Sequence, residues 1–282
     1  MNSVIQAQQS DGRVDISFGI RSWDPVHIKV EEKQGSAFST PIRFTAVNST
    51  FYPFLLKVDF PVFENLSPKP APRDISVTHG TNNLFTFSVH VPEQGYSYRY
   101  LYEYWLAPSD DSINEGYPYL IPVKPGKLVR AKSTLFGHIS DSFAGEKGDT
   151  VYAMRRGLVT AVPIDENLNF RLSEHDCLEV MHHDGTYMIY RNLSKEAGFV
   201  SPGQIVFPGQ PVGLLSDSLY LTVSLKKVSK IKNSLISLPV RYVNSRGEAV
   251  LFDELDGKER SVHPSEVITR EMTGRERKRF GR

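Results

Sequence analysis

The sequence predicts an all-β protein, and three observations carry that expectation. Aromatic residues are plentiful, with 13 Tyr and 16 Phe, and 18 Pro punctuate the chain. Such residues suit half-buried pleated surfaces separated by many turns. Short runs alternate apolar and polar side chains, as in Ile42-Arg43-Phe44-Thr45-Ala46, which turns one face toward a core. Clusters of turn formers recur between the runs at the spacing of a β-sandwich.

In chain order, the expected strands of the first part are Val14–Ile20, His27–Glu32, Pro41–Asn48, Phe54–Phe60, Leu84–Val91 and Ser97–Leu106. The run Ser67–Arg73 (SPKPAPR) holds too much proline for a central strand. An immunoglobulin-like sandwich fits these strands, without the Cys–Trp–Cys signature of antibody domains. Tyr98, Tyr100, Tyr102 and Tyr104 alternate through SYRYLYEYW, so in a strand all four share one face. That face is either a stacking platform for sugar or peptide, or a cross-strand aromatic pack. The polar stretch Ala107–Glu115 reads as a linker, which gives a first domain of residues 1–115.

Residues 116–230 read as a second, antiparallel sheet domain with turns at Asp184-Gly185 and Pro208-Gly209. Four ordered blocks stand out in it: GDTVYAMRRGLVTAV from Gly148, CLEVMHHDGTYMIYRNLS from Cys177, VSPGQIVFPGQPVGLL from Val200, and LYLTVSL from Leu219. Their order and spacing resemble the LytM/lysostaphin-type zinc metallopeptidases, which cut peptide cross-links in bacterial cell walls. The first block matches a G-x-x-V-x-A-x-x-x-G-x-V opening, and the third a G-x-x-V-x-x-G-Q-x-I-G hairpin. The entering segment Tyr117–Val123 is also similar to relatives of that family.

The resemblance implies a zinc held by a His, an Asp four residues later and the second His of an H-L-H motif. Those positions fall on His138, Ser142 and Thr222 here, and the first His of H-L-H falls on Tyr220. The His preceding L-S, which acts on substrate or water, falls on Asn192. Zinc takes imidazole, thiolate or carboxylate donors, and a catalytic site needs three of them beside an open water position. Neutral hydroxyls and amides are poor substitutes. Without the metal, nothing lowers the pKa of an attacking water. His138, Ser142, Asn192, Tyr220 and Thr222 are therefore expected as vestigial positions, with no catalytic, cofactor or metal-binding residue.

A one-residue slip in register would place Asp141 beside His138, and His175, His182 and His183 could be offered as replacement donors. His182 and His183 are adjacent, so a regular strand points them to opposite faces. They read as solvated hairpin residues. Only Leu214–Leu219 joins the third and fourth blocks, shorter than the glycine-rich loop that borders the family's substrate groove.

Residues 231–282 read as a small β and helix appendage, with Pro264 near a helix start, Glu266 in its first turn and basic residues late. The run Arg275–Arg282 reads as a docking element for an anionic surface or as a solvated terminus.

Across 282 residues, 33 basic against 32 acidic side chains leave no general excess for nucleic acid or anionic membranes. The single cysteine, Cys177, lies in an apolar run and reads as a buried, inert thiol that excludes an internal disulfide. No apolar run is long enough to span a bilayer. Ser3–Gln8 resembles the tail of a secretory leader, so an exported, periplasmic or extracellular protein is expected. The functional expectation is an inactive homologue of cell-wall zinc endopeptidases that binds peptidoglycan peptide or an envelope protein. The alternatives are an active zinc endopeptidase with relocated ligands and a structural subunit of a surface assembly.

Overall fold

The computed structural model describes residues 5–10, 13–15, 25–31, 41–92, 94–109, 112–132, 140–163, 177–195, 198–231, 234–255 and 257–280. The chain divides into two compact units at Ala107–Pro108, upstream of the boundary at 115 that the linker composition suggests.

The first unit is built from β1 (Ile5–Ser10), β2 (Arg13–Asp15), β3 (Val26–Glu31), β4 (Ile42–Asn48), β5 (Phe54–Glu64), β6 (Leu66–Ser67), β7 (Asp74–Val77), β8 (Gly80–Val89) and β9 (Ser97–Leu106). One sheet runs β2-β1-β9-β5-β7 and the other β3-β4-β8-β6. Alternation sets what lies between them. In β4, Ile42, Phe44 and Ala46 are buried while Arg43 is exposed. Phe44 meets Phe60, Tyr98 and Tyr100 of the opposite sheet edge-on at ring-centroid distances of 5.3–5.5 Å, the arrangement the aromatic quadrupole favours.

All four tyrosines of the alternating run are buried, and Tyr104 packs edge-on to Phe54 at 5.6 Å. The aromatic ladder is core, and the stacking-platform reading is set aside. Asn48 closes the β4–β5 turn. Its Nδ2 donates to Tyr52 O at 2.8 Å, and its Oδ1 accepts from Thr50 N and Thr50 Oγ1, both at 2.9 Å. Ile5–Gln8 of the leader-like stretch Ser3–Gln8 lie in β1, which pairs with β9. Most of the expected strand Val14–Ile20 lies outside the described residues, as do His138 and His175.

The second unit holds β10 (Pro118–Tyr119), β11 (Ala131–Lys132), β12 (Asp141–Ala144), β13 (Thr150–Tyr152), β14 (Gly157–Ala161), β15 (Cys177–Met181), β16 (Thr186–Arg191), β17 (Ile205–Val206), β18 (Pro211–Leu214), β19 (Tyr220–Val228), β20 (Leu235–Leu238), β21 (Arg241–Val243) and β22 (Ala249–Leu251), then α1 (Ser265–Thr269) and α2 (Gly274–Phe280). Its main sheet runs β11-β12-β19-β16-β15-β14-β17, with β20 added to β19. Every pairing in it is antiparallel.

Period-two patterning places Phe143, Val159, Leu178, Val180, Met188, Tyr190, Leu221, Val223 and Leu225 in one core. Two glycines of the motif blocks are fixed by geometry. A Cβ on Gly157 would lie 2.5 Å from Val180 Cγ1 and 2.6 Å from Met181 O, so only glycine lets β14 approach β15. Gly185 takes φ 73° at the β15–β16 turn, a conformation costly for residues with a Cβ.

The segment 231–282 is not a separate appendage. β21 pairs in parallel with β10, and β22 extends that small sheet. Leu128 bridges Arg260. Pro264 caps α1, with Glu266 in its first turn, as the sequence predicts. Where one helix was expected there are two, α1 and α2, and the second begins from a Thr273–Glu276 capping box.

Candidate functional site

The positions that the resemblance assigns to the site, where they fall on described residues, converge. β12 and β19 pair so that Ser142 stands opposite Thr222, and Ser142 Oγ lies 3.1 Å from Thr222 Oγ1. On the other side of β19, Thr222 stands opposite Arg191 of β16. Asn192, the next residue, leaves the strand at φ 68° and donates from Nδ2 to Tyr220 O at 2.9 Å. The short segment after β18 is stitched to the same corner. Ser194 N donates to Leu214 O at 2.8 Å, Ser216 N donates to Asn192 O at 2.9 Å, and Leu193 bridges Leu215.

Alternation along β19 explains why these side chains share a face. Leu221, Val223 and Leu225 enter the core, so Thr222 and Ser224 must turn the other way. Two cations join them. Arg191 Nη1 donates to Ser224 Oγ at 2.9 Å, and Lys226 Nζ donates to Ser237 Oγ at 2.5 Å. Burial first, and then the Arg191 charge, hold the Lys226 ammonium below its usual pKa. Beside this corner a groove of about 410 Å³ is lined by Lys147, Gly148, Asn192, Ser194, Lys195 and Asp217 among others.

The residues at this corner do not fit a zinc ion. Ser142, Thr222 and Asn192 offer neutral oxygens and amide nitrogen, and the neighbouring Arg191 repels a dication. Among the described residues, no group of three or more His, Cys, Asp or Glu side chains could hold a metal.

The proposed substitutes among the described residues are engaged elsewhere. Asp141 accepts a hydrogen bond from Tyr242 OH at 2.6 Å. Tyr242 belongs to the core, so Asp141 points to the face away from Ser142. His182 lies beyond the end of β15, whose other end pairs with Arg191. Its Nδ1 is 2.9 Å from Arg156 O. Burial, and then the Arg155 cation, lower its pKa to about 3, so the ring is neutral. His182 is 1% exposed, which corrects the expectation of a solvated hairpin residue. His183, in the turn after β15, is 65% exposed and lies 3.1 Å from Glu271 Oε1, so the two histidines diverge although neither belongs to a strand. Cys177 is buried, as its apolar run suggests.

Sequence reasoning missed a charged node at that far end. Arg155, 2% exposed, donates from Nη1 to Asp184 Oδ2 at 2.8 Å and from Nη2 to Glu271 Oε1 at 2.7 Å. Its guanidinium stacks 4.1 Å from the Tyr117 ring centroid and also donates to Tyr119 OH at 3.1 Å. Arg155 occupies an unspecified position of the glycine-valine motif, and the only signal was an arginine pair inside an apolar block.

No protein-family model matches this sequence, and no curated protein matches it. Among solved structures, the chain is similar to Helicobacter pylori Csd3 in a hexagonal crystal, at 13% identity over 98% of this chain and 74% of that one, with a TM-score of 0.31. The orthorhombic crystal of Csd3 gives 14% identity over 98% and 79%, with a TM-score of 0.30. A zinc containing peptidase from Vibrio cholerae gives 12% identity over 74% and 83%, with a TM-score of 0.27. Similarity at this level assigns neither activity nor residues to the chain.

Proposed function

We propose that the second unit is a LytM-type peptidase scaffold without its metal centre, serving as a binding or scaffold module for peptidoglycan peptide or an envelope protein. The observation that carries this reading is the Ser142–Thr222 contact. The positions that the sequence resemblance assigns to an Asp and a His ligand are cross-strand partners, which supports the register, and both hold neutral hydroxyls. The Ser142 and Thr222 hydroxyls and the Asn192 amide make a polar corner suited to hydrogen bonding.

Arg191 and Lys226 on the same face favour an anionic group, such as a peptide carboxylate, over a metal cation. The groove beside Asn192 supplies room for a few residues of extended peptide. Export to the envelope belongs to this proposal.

The test pairs two measurements on the full chain. Purified protein is loaded with zinc, dialysed and assayed for metal, and separately co-sedimented with purified cell-wall sacculi. Zinc well below one per chain, with sacculus binding weakened by Arg191→Met, is the expected result. One tightly held zinc per chain, or cleavage of cross-linked peptide, overturns it.

A further inference from the structure

We propose that α2 is a peripheral docking element for an anionic lipid surface. The segment from Arg270 to Phe280 contains two acids, Glu271 and Glu276, and each is held by an arginine just before β14. Glu271 is held by Arg155 through Nε and Nη2 at 2.7–3.1 Å. Glu276 Oε1 accepts from Arg156 Nη2 at 2.9 Å, while its Oε2 accepts from Thr273 N at 2.6 Å. The hydrogen bond from Arg156, followed by that from the Thr273 backbone, lowers the Glu276 pKa and keeps it ionised.

Arg270 lies over the Tyr117 ring at 5.8 Å, whereas the cations of α2 have no such partners among the described contacts. Arg275, Arg277, Lys278 and Arg279 are all exposed, and α2 buries no residue. Spacing i, i+3, i+4 brings Arg275, Lys278 and Arg279 onto one face of the helix. Glu276 lies on another face, toward Arg156. The fold has therefore sorted the charge, pairing the acids with buried Arg155 and half-buried Arg156 and leaving a cationic face in water. Phe280, four residues after Glu276 and therefore on its side of the helix, ends α2 53% exposed.

The near-neutral whole chain conceals this asymmetry. A cluster this small suits a lipid leaflet, whose charge is two-dimensional and gathers several cations at once. Each cation contributes roughly fivefold to partitioning onto anionic bilayers, so three give about 100-fold. A helix of seven residues lies on such a surface and does not span it.

The experiment is co-sedimentation of the full chain with phosphatidylcholine vesicles containing 30% or no phosphatidylglycerol, at low salt and in about 1 M salt, where charges more than roughly 3 Å apart are screened. Expected are binding to the anionic vesicles only, loss of binding in high salt, and about 100-fold weaker partitioning for the triple variant Arg275→Gln, Lys278→Gln, Arg279→Gln. Circular dichroism checks that the variant folds. A double variant at exposed cations elsewhere, Lys69→Gln with Arg73→Gln, should bind as the natural chain does. Equal binding to neutral vesicles, an unaffected triple variant, equal loss in the control variant, or binding to duplex nucleic acid without binding to vesicles each overturns the proposal. None of these outcomes bears on the groove around Asn192, so the two proposals fail separately.

Discussion

Ser142 Oγ and Thr222 Oγ1 face each other at 3.1 Å across β12 and β19, one hydroxyl from each strand. The pair defines the corner chemically, because the two hydroxyls satisfy one another by a hydrogen bond and bring no charge to hold a cation. The double variant Ser142→Asp, Thr222→His puts a carboxylate and an imidazole at these positions. Its zinc affinity, measured by calorimetry, should exceed that of the natural chain, and an unchanged affinity would count against the register that assigns metal ligands to this corner.

Asn192 holds the corner through its backbone as well as its amide. At φ 68° it sits in the left-handed region, which costs a β-branched residue about 1–2 kcal/mol and glycine little. Asn192→Val should therefore destabilise the protein by about 1–2 kcal/mol, plus about 1 kcal/mol for the lost bond to Tyr220 O. Asn192→Gly should lose only the latter. Urea unfolding of the two variants separates the contributions, and equal losses would refute the backbone argument.

Arg155 ties the β15–β16 turn at Asp184 to the chain between α1 and α2 at Glu271, both side chains being largely buried. Replacing it with Met leaves two carboxylates without their cation. A loss of about 3–5 kcal/mol in unfolding free energy is expected. A loss below about 1 kcal/mol would place the node with surface pairs instead.

The same node sets a pH dependence. Burial, and then Arg155, hold the folded-state pKa of His182 near 3, below its unfolded value of 6.5. Burial pushes Asp184 up, but hydrogen bonds from Thr186 and the Arg155 charge bring it below its usual value of 3.8. In both cases the unfolded chain binds protons more readily. The stability they contribute is fully present above pH 6.5 for His182 and above 3.8 for Asp184. It is lost as pH falls, in the window from 6.5 toward 3 for His182 and from 3.8 downward for Asp184. Thermal unfolding from pH 8 to pH 4 should show a falling midpoint below 6.5, with a shallower fall in His182→Gln. A flat profile would contradict the assignment.

The elements of both units were legible because alternation reports one buried face directly. Phe44 and the tyrosines of β9 show it, although whether that aromatic face met solvent or a second sheet had no sequence signal. The motif blocks likewise fixed the turns at Gly185 and Gly209, and they located Ser142, Asn192, Tyr220 and Thr222 as one set. Arg155 and Glu271 escaped, since an ion pair spanning 116 residues leaves no local pattern.

The sequence by itself determined the all-β architecture, the strand faces and the chemistry available at the corner, because these follow from side-chain type and period. The tertiary structure alone decided which of those residues meet. It placed Ser142 against Thr222, turned Asp141 away to Tyr242, buried His182, and paired the acids of 270–280 with Arg155 and Arg156 while leaving the α2 cations in solvent. Such pairings are set by strand order and register between distant segments, which no single stretch of sequence encodes.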